Sequence, residues 1–471
     1  MLLARKKNEP YYRGTGSKKN LPSILVISSI LIGWSPWQEI ALLFPSIASI
    51  LLIIFLIVRQ KGIPFSHLYD LLLYLWCILM ITFLHMACDT YSLIHFSFWL
   101  VTHSSLLMIF HVRVLTPEEA AYGTKLFVKL YIITALIESV VALKQYYQNV
   151  SFQESAAAGD FIVGTLGNNS HLFAMKMIVA VIFAFILLKY KKKYRFLKLI
   201  LLFLFMQVWL LASALHTIII MLLSFLLYWL FLIKGGRVKY KMMLGIVLAT
   251  LIIVGSLLLV QKSNIYYMGN KLSLNNLANP SGGLFGKIEF YYRTVFIVPT
   301  QESVFTSFLG FGPGSYSSRA SWILSGNYLF SQGNIPVSTT RAWQIYLRDI
   351  WNTYLLSIYP WKKGVANEPF ATWVSILGEF GIVGLIFSLF ITIKILKKNK
   401  RKIILSTIKT GSSNSVIFAN VSLFLFVLVV VSFLFDNWLE YPRLMVPLVL
   451  FFSLAYKGLD YNKRIASTGT L

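Results

Sequence analysis

The sequence predicts an all-α polytopic membrane protein, a single integral membrane domain over residues 1–471 of about twelve transmembrane helices with one large extracytoplasmic loop. Three observations predict it. The 471 residues are 57% hydrophobic, with a mean hydropathy of +0.71, far above an ordinary soluble domain. Apolar stretches of about 20 residues recur along nearly the whole chain, each long enough to cross a hydrocarbon core of about 30 Å. Finally, the 43 Lys and Arg residues gather in short loops on alternate sides of those stretches, as the positive-inside rule requires. Backbone polar groups in lipid must be satisfied within the protein, and these stretches are too long and too evenly apolar for barrel strands, which leaves helices.

Taken in order, the spans fall near 21–36, 40–58, 67–87, 91–110, 124–143, 171–189, 196–212, 214–233, 242–261, 371–394, 416–434 and 441–457. The first follows a basic N-terminus like that of a signal peptide, but it lacks a small-residue cleavage site and reads as an uncleaved helix. The seventh and eighth form one apolar run of about 57 Å as a helix, too long for one crossing. Ser213-Ala214-Leu215-His216-Thr217 at its middle is the natural turn. Between spans nine and ten, residues 262–370 form the large loop, rich in Asn, Ser, Gly, Tyr and Trp. It contains the turn signal Asn279-Pro280-Ser281-Gly282-Gly283 and a helix-patterned stretch beginning at Thr339. With a cytoplasmic N-terminus, roughly 31 of the basic residues lie inside, including the Lys189–Lys198 and Lys394–Lys402 clusters. Both termini are then cytoplasmic and the large loop is outside.

The same distribution explains the net charge of +26 as an orientation signal, so nucleic acid is not an expected partner. Cys77 and Cys88 share one predicted span and sit roughly 16 Å apart along it, too far for a disulfide. The chain carries no Walker A loop, no nucleotide-sugar metal cluster, no H-E-x-x-H and no G-x-S-x-G. Neither a cofactor nor a metal is expected, because no His/Cys set stands at ligand spacing.

Polar chemistry collects at the outer face. Glu138, Lys176 and Glu379 lie toward the outer ends of their spans, where intramembrane charges mark either a function or a helix-locking ion pair. His85, His95 and His103 fit interhelical polar contacts better than a metal pair. His216 sits at an external turn open to water. Asn168 and Asn169 form a tight polar turn against a long apolar span. In the loop, Arg293, Arg319, Arg341 and Arg348 offer guanidinium forks suited to a diphosphate. Gly312-Pro313-Gly314 bends sharply and can present backbone N–H groups to an anion.

These residues resemble motifs of the O-antigen ligase/polymerase family, which includes Wzy-type polysaccharide polymerases. Gly164–Ala174, GTLGNNSHLFA, is similar to the family's G-T-x-G-N turn before a span. Arg293 followed by LGFGPGSY (Leu309–Tyr316) resembles its loop arginine and glycine-rich sequel. LGEFGIVGL (Leu377–Leu385) resembles the E-x-G-x-x-G segment on the next span. The likeness covers roughly residues 160 to 455. It departs at Ser213-Ala214, where the family has Ser-Arg, and at Ala366-Asn367-Glu368, where ligases carry His-Asn; the missing His favours a polymerase over a ligase. The resemblance implies transfer of a polyprenyl-diphosphate-linked oligosaccharide at the outer face of the bacterial cytoplasmic membrane. Membrane lipid, a flippase and a chain-length regulator are the implied partners. Arg293, with Arg341 or Arg348, would stabilise the leaving diphosphate. Glu368, Glu289 or His216 would act as base. Asn168, Asn169, Lys176, Gly312, Gly314, Arg319 and Glu379 would contact substrate. A ligase of the same family and a lipid-linked-sugar flippase are the competing readings; a flippase needs midplane charges and alternating access.

Overall fold

The computed structural model describes residues 20–58, 93–148, 162–190, 194–232, 289–325, 338–348, 371–410 and 414–468, apart from Asn168, Ser213 and Ala214, together with isolated residues among 79–85. Among the described residues the regular structure is helical and no strand forms. Helices α1 (Asn20–Gly33) and α2 (Gln38–Val58) open the chain. They are followed by α3 (Leu93–Thr102), α4 (Met108–Val114), α5 (Pro117–Gln148), α6 (Ser170–Tyr190), α7 (Arg195–Leu211) and α8 (Leu215–Leu232). Short loop helices come next: α9 (Val298–Gln301), α10 (Val304–Leu309), α11 (Arg319–Leu324) and α12 (Arg341–Tyr346). Three long helices close the fold, α13 (Thr372–Thr410), α14 (Asn414–Ser432) and α15 (Pro442–Thr468).

Among the described residues five helices, α5, α6, α13, α14 and α15, are long and apolar enough to cross a membrane, or six spans if the bent α3–α4 pair counts as one. The chain is therefore a helical membrane protein. The expected spans at 67–87 and 242–261 lie largely or wholly outside the described residues. The expected straight span at 91–110 is broken: α3 and α4 meet at 53°, with His103, Ser104 and Ser105 at the corner. The long apolar run is divided into two helices, one ending at Leu211 and the next beginning at Leu215; Ser213 and Ala214 lie outside the described residues.

Local chemistry sets the helix starts. Pro117 occupies the first position of α5, and Thr116 and Glu119 form a reciprocal capping box: Thr116 N donates to Glu119 Oε2 at 2.7 Å and Glu119 N to Thr116 Oγ1 at 3.2 Å. Asn169 caps α6, its Oδ1 accepting from Leu172 N at 2.7 Å. Ser303, Ser318 and Thr340 do the same for the short loop helices.

Helix α6 is apolar on every side, and 78% of its spanning window is buried; it sits at the centre of the bundle. Around it α15 packs against α1, α4, α5, α13 and α14, while α6 packs against α5 and α7. The spanning window of α13 is only 17% buried. Ile386 and Phe390 project from it exposed, as do Ile47, Phe185, Phe196 and Phe203 elsewhere. Apolar surface on this scale belongs against lipid.

Two ends of the bundle differ in chemistry. One gathers basic residues: Lys457 donates to Arg113 O at 2.6 Å, Lys402 to Asp460 at 2.9 Å, and Lys400 to Phe231 O. At the other, the α1–α2 turn, the starts of α6, α8 and α13, and the segment Asp436–Arg443 meet. Asn169, His216 and Arg319 contact the Asp436–Arg443 segment at this polar end.

Candidate functional site

The polar end is built around one short segment, Asp436-Asn437-Trp438-Leu439-Glu440-Tyr441-Pro442-Arg443, which joins α14 to α15. Its four ionisable or phenolic members beyond Asn437 are buried: Asp436, Glu440, Tyr441 and Arg443 are each 3% exposed or less. Burying charge is costly unless partners satisfy it, and the segment is densely bonded. Thr372 donates backbone N to Asp436 O at 3.3 Å. Glu440 accepts from Arg319 N at 2.6 Å and Asn437 Nδ2 at 3.0 Å. Arg443 Nη1 donates to the carbonyls of Ser35, Pro36 and Leu166, tying the α1–α2 turn to the glycine turn before α6.

Tyr441 connects this segment to the Asn turn. Its hydroxyl accepts from Asn169 Nδ2 at 2.6 Å and from Arg443 Nη2 at 2.8 Å. Its ring lies under the Arg319 guanidinium at 4.0 Å, a cation–π contact. Asn169 is thus both a helix cap and a support of the site. Lys176 sits deeper, its Nζ over the Trp34 ring at 4.5 Å. Glu138, one of two carboxylates that an ion pair with Lys176 would use, accepts from the backbone N–H and hydroxyl of Thr165.

Glu379 corrects the expectation for the glycine loop. Gly381 has φ +63 and interrupts α13, exposing the carbonyls before it. Phe311 N and Gly312 N donate to the Gly378 and Glu379 carbonyls, each at 2.9 Å. The Glu379 carboxylate accepts from the N–H groups of Gly314, Tyr316 and Ser318. Those donors are taken by the protein's own Glu379, its carbonyl and its carboxyl group, so Gly312 and Gly314 do not present them to a ligand. His85 and His95 bond the carbonyls of Gly310 and Gly314 at 3.0 and 2.8 Å, so their partners lie in the glycine loop rather than on a neighbouring helix. His103 instead stacks on Trp99, rings 4.0 Å apart.

The remaining arginines separate by exposure. Arg319 is 2% exposed; its backbone N–H bonds Glu440 and its guanidinium covers the Tyr441 ring. Arg293 opens a single π-helical turn and pairs with Glu289 at 2.7 Å, also donating to Tyr346 O at 3.1 Å. Arg341 is 56% exposed and pairs with Glu302 at 3.2 Å; Tyr346 also donates to Glu302, at 2.8 Å. Burial and that carboxylate both raise the Tyr346 phenol above its ordinary value. Burial likewise raises Tyr316, whose side chain lies between Arg293 and Glu379, bonded to Thr294 and packed on Gly378. Arg348 is exposed. Asn168 and Glu368 lie outside the described residues.

A cavity of about 940 Å³ opens between α4, α13, α14 and α15. Glu379 and Glu440 line its polar end; Ile376, Val383, Phe387 and Phe452 are among its apolar walls; Lys402 and Asp460 line its basic end. His171, His216 and Asp436 place one ligand atom each within 4.8 Å of one another. Sequence reasoning missed Glu440, Tyr441, Arg443 and Asp436. The only available signal was the density of polar residues in DNWLEYPR, squeezed between two apolar spans. No family model, curated protein or solved structure matches the chain. Fold and site together define a helical membrane protein with a buried ionisable centre at one end of an apolar, membrane-embedded cavity.

Proposed function

We propose that the chain is a polysaccharide polymerase, joining polyprenyl-diphosphate-linked oligosaccharide repeat units at the outer face of the bacterial cytoplasmic membrane, on a frame of about twelve spans. The observation that carries this reading is the cavity: apolar along the depth of the bundle, and closed at one end by two buried carboxylates, Glu379 and Glu440. A polyprenyl chain requires such an apolar channel. Its diphosphate would stand at the polar end, beside the loop bearing Arg293 and Arg341, whose positive charge stabilises the leaving group. Glu440 is the base best placed there. The acceptor hydroxyl oxygen attacks the anomeric carbon of the donor, the bond from that carbon to the diphosphate oxygen breaks, and the hydroxyl proton passes to Glu440. Arg319 positions Glu440 through its backbone N–H, and the Gly314–Ser318 amides hold Glu379.

The flippase reading keeps support from one feature, the reach of the cavity to Lys402 and Asp460 at the basic end. Purified protein in liposomes with lipid-linked repeat units separates the two. A ladder of polymer made by the wild type and lost in Glu440→Gln, with the variant folded and inserted, is the expected outcome. Lipid movement between leaflets without any ladder would replace the polymerase by a flippase.

A further inference from the structure

The cluster of His171, His216 and Asp436 has no part in the reaction just described, and its geometry has its own logic. Three elements distant in sequence supply it. His171 is the second residue of α6, His216 the second of α8, and Asp436 the first residue of the DNWLEYPR segment. His216 Nε2 lies 3.1 Å from His171 Nδ1 and 3.3 Å from Asp436 Oδ2. A tetrahedral zinc ion with ligands at about 2.0–2.1 Å has ligand-to-ligand edges of about 3.3 Å, so both separations match. The two imidazoles stack with centroids 4.4 Å apart and planes 20° apart, so one ring turns when both nitrogen lone pairs converge on a single ion. One imidazole proton on His216 Nε2 serves one of the two facing acceptors well, whereas a divalent cation takes a lone pair from all three.

We propose that His171 Nδ1, His216 Nε2 and Asp436 Oδ2 form a site for a divalent transition metal, with zinc the best fit. Two neutral imidazoles and one carboxylate are borderline-soft ligands that suit zinc or cobalt; magnesium and calcium demand oxygen sets. The Asp436 backbone is anchored by Thr372, whose N–H and hydroxyl both donate to its carbonyl, and Asp436 is fully buried. The His216 side chain is 21% exposed, which gives the ion a route in and leaves a fourth position for water or an anionic ligand. Sequence spacing could not reveal this set, because its members are 45 and 220 positions apart.

The inference is independent of glycan transfer and is tested by metal content. Full-length protein, purified in detergent and stripped with chelator, is titrated with Zn²⁺ and separately with Co²⁺. One tight equivalent of Zn²⁺ per chain and the visible bands of four-coordinate Co²⁺ are expected. His216→Gln and His171→Gln should each weaken binding by at least about 100-fold, more than the loss typical of an outer-shell partner. His111→Gln, altering a histidine bonded to Ser49 at 2.9 Å away from the cluster, should leave stoichiometry unchanged. Should the ligand variants fail to insert, the wild type still decides: a folded chain that binds neither ion overturns the site. So does unchanged binding in the folded His171→Gln/His216→Gln double variant.

Discussion

At Arg293 a structural contact and a catalytic role compete for one guanidinium. Its pair with Glu289 is 2.7 Å long, with the two side chains 21% and 40% exposed, and such i,i+4 pairs contribute only about 0.3–0.5 kcal/mol. If the pair is all that Arg293 does, Arg293→Ala and Glu289→Gln should behave alike and leave polymer length unchanged. If Arg293 faces the diphosphate, Arg293→Ala lowers the rate of chain growth by about 10²–10³ with the thermal midpoint nearly unmoved. Arg293→Lys then restores only part, because an ammonium cannot grip bidentately. Ladder assays beside melting curves check this, and we expect the second pattern; normal ladders from folded Arg293→Ala would remove Arg293 from the mechanism. Arg319 differs in kind. Buried over Tyr441 and bonded to Glu440 through its backbone, its loss should lower both stability and activity.

Among elements, the break in α13 most needs its residues to be what they are. Gly381 has φ +63, and a Cβ there would lie 2.2 Å from Phe308 O; Gly310 has φ +79, and its Cβ would lie 2.3 Å from the Glu379 carbonyl carbon. Two backbones thus approach within glycine distance to make the clasp that positions Glu379. Gly167, also at positive φ, meets nothing within 4 Å. Gly167→Ala should therefore cost only the backbone strain of about 1–2 kcal/mol. Gly381→Ala adds a backbone clash, so it should fall well below Gly167→Ala in thermal midpoint and yield of inserted protein. Equal midpoints for the two variants would show that the clasp is not needed for folding.

Over the whole molecule, a basic end is separated from a polar end, and the proposed reaction depends on which side of the membrane each one faces. The basic loops predict the side on which each end lies. In intact cells, an introduced cysteine at Lys192 should resist a membrane-impermeant reagent, while cysteines at Arg341 or Arg348 should react. The reverse pattern would place the proposed site in the cytoplasm, where an exported polymer cannot be made. The cavity gives a second whole-molecule expectation. Ile376→Trp, on its wall near Glu379, should narrow the path for a lipid tail and raise the apparent KM for a lipid-linked donor more than it lowers kcat.

The sequence by itself determined the membrane class, the run of apolar helices and the turn that splits residues 196–233, because hydropathy, span length and breaker residues act locally. It also marked Asn169, Lys176 and Glu379 as unusual, since polar groups beside lipid stand out against an apolar background. Only the tertiary structure decided what those groups touch: that Asn169 holds Tyr441, that the glycine loop cradles Glu379, that Arg319 is buried while Arg341 is open. The bend at His103 was hidden because a broken helix and a straight one share the same apolar composition. Glu440 and Asp436 were passed over because each reads alone as an ordinary loop acid. Their meaning comes from partners hundreds of positions away, such as His171 and His216, and residue spacing carries no record of which helices pack together.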